Sequence, residues 1–106
     1  MIFGALLLAA FAADVVPDFN GTYQQQMAAV RNLPADVRAF IDRRANCNHW
    51  SGEEPYDQDR RVQIESAEKE LRCEDLSKDE TALQRRYQNN QPVLKALAAS
   101  QDWSPG

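Results

Sequence analysis

Apolar residues follow two different patterns along this chain. From Ile2 to Ala13 they run almost without interruption, IFGALLLAAFAA, with no charged side chain. Beyond Asp14 they recur three or four residues apart among Gln, Arg, Asp and Glu. The second pattern has the period of amphipathic helices. No stretch alternates at period two, as a half-buried strand does. The chain is therefore expected to be all-α, a small bundle of four to five short helices.

Breakers and capping residues place those helices. Residues 14–21, DVVPDFNG, read as an irregular lead-in, with Pro17 and Gly21 as breakers. A first helix is expected from Thr22 to about Arg31, where Leu33-Pro34 interrupts. A second should begin at Pro34, which suits a first turn. Its stripe is Val37, Phe40, Ile41, the stem of Arg44 and then Cys47. Asp36 suits its positive end, and Arg43 and Arg44 its negative end. The helix should end near Trp50, with Gly52 left-handed as its stop. Residues 51–56 form a corner, and Asp57 is the expected N-cap of a third helix reaching Arg72. Arg61, Ile64, Ala67 and Leu71 give it a stripe, and Glu65–Lys69 and Glu68–Arg72 are pairs four residues apart. Ser77 and Glu80 read as a capping box for a fourth helix, from about Lys78 to Gln88, with Leu83 and Tyr87 inward. Pro92 opens a last helix bearing Val93, Leu94 and Leu97, and residues 102–106 form a tail.

The N-terminal apolar run is too short for a bilayer span, which needs roughly 20 apolar residues. It fits the core of a secretory signal, and Ala10-Phe11-Ala12 supplies a cleavage site, although no Lys or Arg precedes the run. The expectation is a cleaved signal peptide over residues 1–12. A single helical domain over 13–106 would then be released to the periplasm or medium, with no stable membrane span. A domain this small buries only about 60% of its unfolded surface, so its core is marginal. In a short exported chain two cysteines are expected to pair, and Cys47 and Cys73 are the only two. Their bridge should contribute roughly 3 kcal/mol. Because it joins the ends of successive helices, it requires either an oblique crossing or a longer corner.

Charge narrows the function classes. The net charge is −4, and residues 62–80 hold seven acids against three bases. Neither end carries a basic stripe, so nucleic-acid binding is not expected. Arg60-Arg61, Arg85-Arg86 and the acidic run from Glu65 to Glu80 read as solvated helix faces.

Candidate chemistry is concentrated in residues 47–57, CNHWSGEEPYD. A metal reading uses His49 with Glu53, Glu54 or Asp57, but structural zinc sites normally take four Cys or His ligands. A catalytic reading makes His49 a base beside Glu53 or Glu54, yet no nucleophile or oxyanion loop accompanies it. A structural reading fits more of the residues. In it Trp50 and Tyr56 cover the disulfide, Gly52 and Pro55 shape the turn, Asp57 caps, and Glu53 or Glu54 satisfies the aromatic NH and OH groups. A surface recognition loop is the remaining reading.

The run C-N-H-W-x-G-E-E-P-Y-D, then Arg60-Arg61, Cys73, L-x-x-x-Y at 83–87 and N-x-P-V-x-x-x-L at 90–97 resemble a group of small exported proteobacterial proteins. In that group the first cysteine precedes x-His-Phe/Trp and Gly-Glu-x-Pro-Tyr-Asp, and a second cysteine follows one helix later. The resemblance covers roughly residues 40–97. It implies export and the disulfide and brings no activity with it. A fainter similarity, in style only, is to lysozyme-inhibitor domains of the LprI type, whose multiple cysteines this chain lacks. The function expected is a non-enzymatic interaction module with a protein partner in the cell envelope and no cofactor. The alternatives are an inhibitor of an envelope hydrolase such as lysozyme, and a weak metal-binding protein centred on His49.

Overall fold

Residues 19–106 are described by a computed structural model. The expected signal peptide and its cleavage site lie outside the described residues. Five α-helices follow in order: α1 Tyr23–Ala29, α2 Ala35–Ser51, α3 Gln58–Glu70, α4 Leu76–Arg86 and α5 Gln91–Ala99. A 3-10 turn, Cys73–Asp75, separates α3 from α4. No strand occurs among the described residues, and no helix there is long and apolar enough to cross a membrane.

The stripe on α2 organises the core. Val37, Phe40, Ile41 and Ala45 are buried against Val30, Leu83 of α4, and Val93, Ala96 and Leu97 of α5. Burying each large apolar side chain contributes roughly 1.5–3 kcal/mol, and Val30, Val37, Ile41 and Val93 are fully covered. Trp103 joins this cluster, so the irregular C-terminal segment is docked. Asn48 holds it there by donating to the carbonyls of Gln101 and Trp103, both at 2.9 Å. Phe19 closes the same edge, its ring 5.9 Å from that of Trp103.

Local chemistry fixes most boundaries. Thr22 and Gln25 form a capping box at α1, Asp57 accepts from the Arg60 N–H at α3, and Asn90 accepts from Val93 at α5. Three expectations are corrected. Gly52 ends α2 with φ −88°, right-handed, because its N–H still closes on the Asn48 and His49 carbonyls and that of Glu53 on Trp50. The Ser77–Glu80 capping box does not form. The 3-10 turn launches α4 at Leu76, so Ser77 lies inside the helix and Glu80 turns to Arg44. Neither Glu65–Lys69 nor Glu68–Arg72 is among the ion pairs of the described residues.

α3 stands apart. Ile64 is its single buried residue, and it does not belong to the main apolar cluster. The helix packs on α2 and the 3-10 turn.

Candidate functional site

The residues from Cys47 to Asp57 do come together, at the place where α3 is fastened to α2. Cys47 sits one turn before the end of α2, and Cys73 lies in the 3-10 turn past the end of α3. The two are bonded, with Cα atoms 5.7 Å apart. Arg72 makes this possible by taking φ 53°, ψ 50°, which reverses the chain after α3. This is the position that glycine normally fills at a helix end. One turn before Cys47, Arg43 donates from Nε to the Leu71 carbonyl (2.6 Å) and from Nη2 to the Arg72 carbonyl (3.1 Å) and Asp79 Oδ2 (2.7 Å). An arginine of α2 thus satisfies the Leu71 carbonyl at the C-cap of α3 and adds a bond to the Arg72 carbonyl, which also accepts from the Asp75 N–H.

The start of α3 is held by a second set of contacts. Arg60 lies over the Trp50 ring at 5.3 Å and reaches Glu53 Oε1 at 3.2 Å. The same carboxylate oxygen is 3.2 Å from His49 Nε2, and the His49 ring meets Trp50 edge-on at 5.5 Å. Both ends of α3 therefore rest on the stretch of α2 between Arg43 and Trp50. A helix of thirteen residues, about 20 Å long, is set against roughly half that length of α2.

Several expectations about individual residues change. Tyr56 does not cover the disulfide: it is 77% exposed, because the residues that hold the corner face α2 and the tyrosine falls on the outside. Glu53 serves His49 and Arg60 rather than an aromatic NH or OH. Glu54 and Pro55 are exposed, and Asp57 is a cap as expected. Arg60 is not a solvated base, since it fills the angle between Trp50 and Glu53. Within the acidic run, Asp79 and Glu80 are ion-paired inward to Arg43 and Arg44.

His49 has Nε2 on Glu53, and Nδ1 faces Gly106 so closely that a Cβ there would sit 3.3 Å from it. Ser51, the nearby hydroxyl, donates to the Asn48 carbonyl. No group of three His, Cys, Asp or Glu able to hold a metal occurs among the described residues.

Residues outside the corner set the remaining electrostatics. Asp36 accepts from Tyr87 (2.8 Å), Arg86 (2.7 Å) and the Val37 N–H (2.9 Å). These bonds, led by that of Tyr87, hold its carboxyl below the usual carboxylate range. The same bond raises the Tyr87 phenol. Tyr23 is raised further, by burial and then by its hydrogen bond to Asp42.

Arg43, Asn48 and Arg60 are the residues that sequence reasoning missed as parts of this assembly. The one available signal was the crowding of long polar side chains around Cys47 and Trp50. Comparison with family models, with curated proteins and with solved structures gives no match.

Proposed function

We propose that the chain is an exported, non-enzymatic interaction module that presents Tyr56 from the corner between α2 and α3. One observation carries this reading: the most exposed large apolar side chain among the described residues, Tyr56, sits on the corner between α2 and α3, where Glu53 is held by His49 and Arg60. The neighbouring His49, Trp50, Glu53 and Arg60 are engaged with one another. The tyrosine therefore stands on a preorganised base, and a rigid aromatic with a polar tip loses little conformational entropy when a partner covers it. Export rests on the apolar N-terminal run and on a cystine that suits an oxidising compartment.

A photoreactive amino acid at position 56, introduced in cells that make the protein, tests this. The expected result is a discrete adduct with one envelope protein. The same group at the exposed Gln84 of α4 should give none. No adduct at position 56, or the same adducts at both positions, contradicts the reading.

Inhibition of an envelope hydrolase such as lysozyme is a second, narrower reading. It is supported by a groove lined by Glu65, Glu68 and Glu74 against one base, Lys69, beside Cys73, since surfaces acidic on balance steer basic partners. Undiminished lysis in a lysozyme turbidity assay at micromolar excess of this protein would end it.

A further inference from the structure

We infer that the outer face of α3 docks a basic protein surface containing an apolar hollow. This inference rests on the interaction-module reading and names the chemistry of the partner. Three observations converge on the helix. The first is charge distribution. Residues 53–75 hold nine acids and four bases, a net −5, whereas the whole chain is −4 and the remainder is therefore +1. Of those nine acids, only Glu53 takes part in an ion pair among the described residues. The second is apolar exposure. Among the described residues the two large exposed apolar side chains are Tyr56 and Val62, at 77% and 51%, and both belong to α3 or its lead-in. The third is placement. α3 contributes only Ile64 to the interior and stands outside the main core, and its Asp59, Val62, Glu65, Ser66 and Glu70 are exposed.

Helical spacing orders these residues into a surface. Val62 and Ser66 lie four apart and share one face, opposite the face that carries Ile64. Both are exposed. The serine is small, so the valine beside it stands clear for a partner to cover. Asp59 and Glu65 flank Val62 at three residues on either side, and Glu70 follows Ser66 by four. All three acids are exposed, and so is Lys69, three residues after Ser66 on the same face, so the rim carries three carboxylates against one ammonium. An apolar knob whose rim is acidic on balance, with carboxylates that enter no ion pair among the described residues, is complementary to a cationic rim around an apolar depression. The acids steer the encounter and reject acidic proteins, while Tyr56 and Val62 supply the area that is desolvated. A second copy of this chain has the wrong charge for the same surface.

The test uses the full chain with a photoreactive group at position 62. The captured protein is identified by mass spectrometry and purified. Its affinity is then measured for the wild type and for a variant carrying Asp59→Asn, Glu65→Gln and Glu70→Gln. The expected partner is basic at the crosslinked surface. Its affinity should fall about tenfold or more in the variant, and similarly for the wild type between about 20 mM and about 500 mM salt. Capture of a second copy, no adduct at position 62, or a partner whose affinity ignores both the substitutions and the salt would overturn the inference. An adduct at position 56 in any of those cases would leave the interaction-module reading standing, whereas loss of both adducts removes both. Thermal melting of the variant shows whether its fold is intact. If it is not, the single substitution Glu70→Gln and the salt series on the wild type decide the matter.

Discussion

Arg44 lies on the same stripe of α2 as Val37, Phe40 and Ile41, and it is buried with them at 6% exposure. Its guanidinium reaches Glu80 at 2.9 Å, and the Leu97 carbonyl and Ser100 Oγ at 2.7 Å each. It also lies 5.0 Å from the Phe40 ring. One fork therefore joins α2 to α4 and to the end of α5. Replacing Arg44 with Ala strands a half-buried carboxylate and removes the donor shared by the Leu97 carbonyl and Ser100 Oγ, whose hydroxyl still donates to the Ala96 carbonyl. Such losses cost roughly 3–5 kcal/mol, which urea denaturation will read as a lowered midpoint. Arg44→Lys should rescue only part of this, because one ammonium cannot serve three acceptors in fork geometry. A loss under about 1 kcal/mol in Arg44→Ala contradicts the role given to it. The apolar members of this stripe were legible from spacing alone. The charge of Arg44 was not, since Glu80 and Ser100 are 36 and 56 residues away in the chain. In a sequence an arginine beside another arginine looks like a helix terminus meeting water.

Whole elements were legible where their signals are local. Asp57 and Asn90 cap the helices that follow them, and Pro34 precedes α2, as nearest-neighbour chemistry dictates. The start of α4 was misread because a nonlocal constraint competes there. The cystine and the reversal at Arg72 bring the chain out of its turn at Leu76, ahead of the Ser77 box. Helix pairing adds a pH dependence. Asp36 joins the start of α2 to Tyr87 and Arg86 at the end of α4. Because its folded carboxyl is held low, its contribution is present above the ordinary value near about 4. That contribution is lost as pH falls through the lowered value. Tyr23 and Tyr87 are raised, so their contribution is present below about pH 10 and is lost as pH rises beyond it. Melting temperature is expected to fall on both flanks. Asp36→Asn should flatten part of the acid limb, and Tyr23→Phe part of the alkaline one. Limbs that coincide with wild type in both variants would contradict these assignments.

For the molecule as a whole, four helices and the docked C-terminal segment build one core around α2, while α3 is carried outside it. The fold class and the cystine were legible from periodicity and from the presence of only two cysteines. The outward position of Tyr56 was not, because a short corner rich in Gly, Pro and acids does not encode which side chains face the neighbouring helix. The central claim is that the Cys47–Cys73 bond, with the Arg43 and Arg60 contacts, holds α3 on a core that does not need it. Amide hydrogen exchange on the oxidised and the reduced protein tests this most directly. The expected result is loss of protection across residues 58–70 on reduction, with protection retained at Val37–Ala45 of α2 and Val93–Leu97 of α5. Equal protection of α3 in both states, or loss of all helices together, would contradict it.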